Sequence, residues 1–128
     1  MSAVKKISLA LLVILYLAGG INHFWHPDGY IKIIPQWLPY PAALNYAAGI
    51  CEVVFAIMLL FPSTRAIAGW LIVIMLAAFL PVHIDMVLHA PMLVGKLTVT
   101  PLIAWARLLL QPVLMLWAWW HAKRTSTT

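Results

Sequence analysis

Charged side chains are scarce in this chain of 128 residues, and acidic ones are the scarcest. Only 9% of the residues are charged and three are Asp or Glu, whereas 65% are hydrophobic. An ordinary soluble domain has about 25% charged and about 45–50% apolar residues. The composition therefore excludes a soluble domain and indicates a lipid bilayer as the surrounding medium.

Cysteine is almost missing as well, since Cys51 stands alone inside an apolar run. A single cysteine excludes an intramolecular disulfide and a C-x-x-C dithiol site. The net charge of +5 does not indicate a nucleic-acid partner. The basic residues lie at the ends of apolar runs, and they do not form a patch together with polar side chains that could recognise bases.

Four long apolar runs are present, and they predict an all-α membrane protein. We expect one domain, residues 1–128, folded as a bundle of four transmembrane helices. The predicted helices cover about 7–24, 42–61, 64–86 and 101–121. The first run exceeds the apolar core of a signal peptide, about 7–15 residues, so we interpret it as the first span.

The segment between the first two helices is rich in proline and aromatic residues. Its prolines are Pro27, Pro35, Pro39 and Pro41, and its aromatic residues include Trp25, Tyr30, Trp37 and Tyr40. We consider prolines at this spacing too close together for a helix, and aromatic rings of this kind favour the headgroup level of a membrane. The segment is therefore predicted to be an interfacial loop lying against the outer mouth of the bundle.

The distribution of basic residues predicts the orientation. One side of the membrane would carry Lys5, Lys6, Arg65, Lys123 and Arg124, and the other only Lys32 and Lys96. By the positive-inside rule, both termini are expected in the cytoplasm.

Ionisable residues inside the spans are candidates for function, because each costs at least about 2.5–3.5 kcal/mol on insertion scales. Glu52 lies about ten residues into the second span, near the midplane. Helical spacing places it on one face with Asn45, Gly49 and Ala56, a stripe that another helix can approach closely. Arg107, in the fourth span, is its expected partner in an ion pair.

The other polar residues at membrane depth are expected near the same half of the bundle. The predicted ligand-binding site consists of Glu52, Arg107, His83, His23, Asn45, Gln111, Asp85 and Tyr16. Polar groups from several helices typically line a cavity, although a buried Glu–Arg pair can also serve only to fix helix register. The histidine spacings are less specific than H-E-x-x-H, so neither a metal nor a haem site is predicted.

Short motifs within residues 7–86 resemble the DoxX-like family of small four-helix membrane proteins. They are Gly20-x-x-His23-Phe24, Pro27-x-x-Tyr30, Pro35-x-x-Leu38-Pro39, Gly49-x-x-Glu52, Pro62-x-x-Arg65 and Phe79-Leu80-Pro81-x-His83-Ile84-Asp85. The resemblance implies a redox-associated membrane component, since the family includes a thiosulfate:quinone oxidoreductase and a maturation protein for methylamine dehydrogenase. It also marks Glu52 and His23 as family-motif positions.

Three functions fit these features, in a multi-pass protein of a bacterial plasma (inner) membrane. The first is an accessory or binding protein for a quinone, a lipid or another small amphipathic molecule. The second is an enzyme acting on such a molecule, with Glu52 or His83 as acid–base group and Arg107 holding an anionic head. The third is a scaffold or chaperone for a partner protein. A homo-oligomer and a redox partner protein are compatible with all three.

The orientation can be tested with single cysteines and a membrane-impermeant thiol reagent. Cysteines replacing Asp28 and Lys96 should react with the reagent added outside the cell, whereas a cysteine replacing Arg65 should react only after the membrane is permeabilised. Labelling at Arg65 from the outside would contradict the predicted topology.

Overall fold

The computed structural model describes residues 1–123 and is mostly helical. The elements are α1 (Ala3–Trp25), α2 (Pro27–Ile33), α3 (Pro41–Leu60), α4 (Pro62–Ala78), α5 (Leu80–His89), β1 (Met92–Val94), β2 (Leu97–Val99) and α6 (Pro101–Ala122). Helices α4 and α5 together form one apolar segment, Pro62–His89. With α1, α3 and α6 this gives four segments long and apolar enough to cross a membrane, as predicted. Arg124, used in the orientation argument, lies outside the described residues.

The spans begin and end where the sequence supplies capping groups. The Thr100 hydroxyl accepts a hydrogen bond from the Ile103 amide at 3.2 Å, and Pro101 follows at the first position of α6. At the carboxyl end of α3, Arg65 Nε donates to the Leu59 carbonyl at 2.8 Å. The Thr64 hydroxyl donates to the Met58 carbonyl at 2.7 Å. These bonds satisfy carbonyls that the end of a helix leaves free.

The segment after α1 is not simply the predicted loop, because seven of its residues form α2. Our prediction that the proline spacing excludes a helix in this segment was wrong. Pro27 occupies the first turn of α2, where a helix needs no amide donor, and Pro35 comes after the helix has ended. Of the aromatic residues, Trp25 and Trp37 are 76% and 69% exposed, so they do not cover the bundle.

The connection between α5 and α6 contains a small hairpin that the sequence analysis did not predict. Strands β1 and β2 pair antiparallel, with Met92 opposite Val99 and Val94 opposite Leu97. Gly95 lies in the turn with a φ of 62°, a conformation that glycine adopts without steric cost.

Small residues allow two pairs of helices to approach closely. A Cβ atom on Gly20 of α1 would lie 2.8 Å from the Gly49 carbonyl oxygen of α3 and 2.6 Å from Val53 Cγ2. A Cβ atom on Gly69 of α4 would lie 2.6 Å from the Ala122 Cβ of α6. Backbone contact of this kind holds helices together in lipid, where the hydrophobic effect gives little help. The predicted stripe on α3 is confirmed, since Asn45, Gly49, Glu52 and Ala56 are all buried.

Two neighbouring glycines test the contact between α1 and α3. Gly20→Ala should lower the unfolding free energy by about 1–3 kcal/mol, because the new methyl group meets backbone atoms that cannot yield cheaply. Gly19→Ala should be neutral or slightly stabilising, since its Cβ would lie 3.6 Å from the nearest Glu52 oxygen and alanine favours a helix. Thermal unfolding in detergent measures both, and equal effects would contradict the proposed close approach.

Candidate functional site

His23 on α1 and Asn45 on α3 form the best-defined part of the site. His23 Nδ1 lies 2.7 Å from Asn45 Oδ1, and Asn45 Nδ2 donates to the His23 backbone oxygen at 3.0 Å. A carbonyl can only accept, so the amide nitrogen faces the backbone and Oδ1 faces the ring. The His23 proton on Nδ1 is therefore fixed by Asn45.

Glu52 of α3 lies against the other nitrogen of the same ring. His23 Nε2 is 2.9 Å from Glu52 Oε2. With Nδ1 already protonated, the contact joins either an imidazolium to a carboxylate or a neutral ring to a carboxylic acid. In both forms the pair holds one shared proton and has no net charge, which lowers its cost at membrane depth.

The short helix α2 places an aromatic ring over this pair. The Tyr30 ring stacks on the His23 ring with a centroid distance of 3.8 Å. Asn22 Nδ2 donates to the Tyr30 hydroxyl at 2.8 Å, and Asn22 Oδ1 lies 2.7 Å from His26 Nδ1. Sequence reasoning missed Asn22 and Tyr30 as site residues. The available signal was the group of polar residues Asn22, His23 and His26 at the end of the first apolar run, with Tyr30 shortly after it.

Arg107 does not form the direct ion pair with Glu52 that we expected. Its Nη1 donates to Gln111 Oε1 at 2.8 Å, and Gln111 Nε2 donates to the Leu76 carbonyl at 2.7 Å. Gln111 lies one turn further along the same helix and binds the Arg107 guanidinium. The Glu52 carboxylate is in contact with His23 instead. Leu76 lies three residues before the helix break at Phe79, where the regular backbone bonding is interrupted ahead of Pro81.

Three buried polar side chains from separate spans interact electrostatically with the half-buried Arg107. Tyr16 Oη and His83 Nδ1 have no hydrogen-bond partner within residues 1–123, and Glu52 Oε2 has there only the contact with His23 Nε2 at 2.9 Å. The Arg107 charge acts electrostatically on Tyr16, Glu52 and His83. We call Tyr16, Glu52, His83 and Arg107 the open polar cluster.

Asp85 was predicted in the same site, but its partner lies on its own helix. The carboxylate is 3.3 Å from His89 Nδ1, one turn further along α5. Asp85 therefore contacts the carboxyl-terminal turn of α5 rather than the open polar cluster. Within the described chain, no group of three His, Cys, Asp or Glu side chains is placed to hold a metal ion.

A shallow groove of about 470 Å³ opens at the end of the molecule where α1 is followed by α2. Its walls include Asn22, His26 and Tyr30 on one side and Val94 with Gly95 of the hairpin on the other. The groove lies beyond Tyr30, so it adjoins the His23–Glu52 pair without containing it.

Double-mutant cycles can compare the two possible partners of Glu52. The coupling free energy between Glu52→Gln and His23→Gln should be about 1–3 kcal/mol, since the two side chains are in contact. The coupling between Glu52→Gln and Arg107→Met should be less than half as large, because Arg107 is bonded to Gln111. Unfolding titrations give both values. A larger coupling with Arg107 would restore the ion pair and contradict the pairing described above.

Comparison with known proteins gives a family without an assigned activity. The family described as a domain of unknown function, DUF8561, matches residues 12–122. No curated protein and no solved structure matches the chain. The family match covers the first apolar segment from residue 12 onward and the other three completely, and it includes every residue of the open polar cluster. The chain therefore belongs to the DUF8561 family.

Proposed function

We propose that this membrane protein binds the polar head of a small amphipathic molecule, a quinone above all, as a binding or accessory component of a redox system. The observation that carries the proposal is that Tyr16 Oη and His83 Nδ1 are buried without a partner in the described chain, while Tyr16, His83 and the nearby Glu52 all interact electrostatically with Arg107. The four side chains come from α1, α3, α5 and α6.

The energetic cost of this arrangement supports a ligand. A buried polar group without a partner costs about 1–3 kcal/mol, and lipid offers no alternative partner. A cluster that served only to fix helix register would gain most by pairing its members with one another. The unused capacity instead suits a molecule that brings its own polar atoms into the bundle.

The mixture of donors and acceptors favours a quinone over an anionic lipid at this site. Arg107 and Tyr16 offer donors to a quinone carbonyl, and Glu52 offers an acceptor to a quinol hydroxyl. The phosphodiester of an anionic lipid can only accept hydrogen bonds, so it offers no donor to Glu52. A quinone tail can also leave the site sideways between the spans, into lipid.

A redox setting is supported by the resemblance to DoxX-like proteins, which we retain as a proposal alongside membership of DUF8561. Because the chain has one cysteine, it has no dithiol of its own, and a partner protein would exchange electrons with the bound molecule. We also propose a multi-pass location in a bacterial plasma membrane with both termini in the cytoplasm.

An enzyme is the second candidate, and the His23–Glu52 pair is the observation that favours it. The two side chains share one proton at a contact of 2.9 Å, and such a pair can deliver or accept a proton as a ligand is oxidised or reduced. Turnover of a bound quinol by the purified protein would favour the enzyme, whereas tight binding without turnover would favour the accessory role.

The binding proposal can be tested with decylubiquinone and two tyrosine variants. Tyr16→Phe should weaken quinone binding about three- to tenfold, because one hydrogen bond typically contributes about that much to affinity. Without ligand, the same variant should be as stable as the wild type or more stable, because an unpaired buried hydroxyl has been removed. Calorimetry in detergent measures affinity, and thermal unfolding measures stability.

Tyr46→Phe is the matched control, since Tyr46 is 38% exposed on the outside of α3. It should change neither quantity. If Tyr16→Phe destabilises the free protein and leaves the affinity unchanged, the hydroxyl is structural and the proposed site is wrong. If the wild-type protein does not bind decylubiquinone, the quinone assignment is wrong.

A further inference from the structure

A second buried polar group lies at the end of the bundle opposite the open polar cluster. His121, near the carboxyl end of α6, is 3% exposed. Its Nε2 lies 2.9 Å from the Ser8 hydroxyl oxygen of α1, and that oxygen accepts a hydrogen bond from Trp117 Nε1 at 2.8 Å. The three side chains tie the first helix to the last.

The hydrogen bonds indicate which atom of His121 needs a partner. The Trp117 indole can only donate, so the Ser8 oxygen accepts from it and the Ser8 hydroxyl proton is free to point to His121 Nε2. When Ser8 donates in this way, the neutral ring carries its proton on Nδ1, and the protonated ring carries one there whichever way Ser8 points. Nδ1 has no hydrogen-bond partner in the described part of the chain. In both of these states it is a buried donor without an acceptor.

Positive charge surrounds this donor. Lys5 and Arg65 both act electrostatically on His121. Lys5 Nζ lies 5.0 Å from the centre of the Trp120 ring. Gly69, one helical turn after Arg65 in α4, packs against Ala122, the residue after His121. Arg65 directs Nε and Nη2 to backbone carbonyls, which leaves Nη1 for another acceptor. The three acidic side chains of the whole sequence are Asp28, Glu52 and Asp85. They lie on α2, in the middle of α3 and on α5, so none is available at this end as a counter-ion.

We propose that His121, Lys5 and Arg65 form a binding site for a phosphate group, supplied by the head of an anionic phospholipid. Trp117, Trp119 and Trp120 mark this level of the bundle as the membrane interface, where headgroup phosphates lie. A phosphate oxygen accepts from the His121 donor, and the two cations balance its charge. A free phosphate ion has the same chemistry, and the test below separates the two sources.

The test compares two lysines that carry the same charge on the same helix. Lys5 is half-buried beside His121, whereas Lys6 is exposed. The full chain is purified in a neutral detergent, and phosphatidylglycerol or phosphatidylcholine with identical acyl chains is added. Binding is followed by native mass spectrometry and by the rise in unfolding temperature. Inorganic phosphate is added in a parallel series.

The site predicts that phosphatidylglycerol binds and stabilises the protein and that phosphatidylcholine does so much less. Lys5→Gln should weaken phosphatidylglycerol binding about fivefold, and Lys6→Gln should leave it unchanged. His121→Phe, which removes the donor and keeps a ring, should weaken it about tenfold or more. If His121→Phe fails to fold, the comparison of the two lysines still decides the question.

Each outcome has a definite meaning. Binding of phosphatidylglycerol without an effect of inorganic phosphate supports the lipid headgroup as the source. Binding of both, with the same dependence on Lys5, supports the phosphate site and overturns the choice of a lipid. Equal losses in Lys5→Gln and Lys6→Gln would show a general attraction between charges and overturn the site, as would equal binding of the two lipids.

Discussion

The close approach of α1 and α3 is the constraint on which the candidate site depends. Gly20 and Gly49 lie so near each other that a Cβ on either would meet backbone or core atoms at 3.0 Å or less. Only at this separation can His23 bond to Asn45 and lie 2.9 Å from Glu52 at once. The two glycines therefore determine where the shared proton of His23 and Glu52 lies within an otherwise apolar bundle.

The rest of the polar structure follows from the cost of polar groups in lipid. Where the chain can pair them it does so, as with Arg107, Gln111 and the Leu76 carbonyl, and with the two residues that cap α3. The exceptions within residues 1–123 are few, and they fall at two places, around Arg107 and beside Lys5. This division suggests two binding sites of different chemistry, one for an uncharged polar head and one for a phosphate.

Much of the fold could be predicted from the sequence because lipid imposes simple rules on length and polarity. The four spans and the buried stripe of α3 follow from composition and helical spacing. The short elements were harder to predict from the sequence. Helix α2 has seven residues between two prolines, and the hairpin strands have three residues each, so neither produces a long periodic pattern.

Most of the predicted site residues lie in the polar networks described above, but their partners could not be predicted. Spacing along one helix shows which residues share a face, and so Tyr16, His23, Asn45 and Glu52 were recognised as inward-facing. The choice between Arg107 and His23 as partner of Glu52 depends on distances between helices. Those distances are set by Gly20 and Gly49, whose effect on packing appears only in three dimensions.

A diffraction structure of the protein, crystallised in a lipidic mesophase that contains a quinone, is the most direct test of the proposed binding site. We predict elongated density with its polar end within about 3.2 Å of Tyr16 Oη, His83 Nδ1 and the Glu52 carboxylate, and with its apolar end reaching lipid between the spans. A structure in which these atoms bond only to one another or to ordered water would contradict the central claim that they form a ligand-binding site.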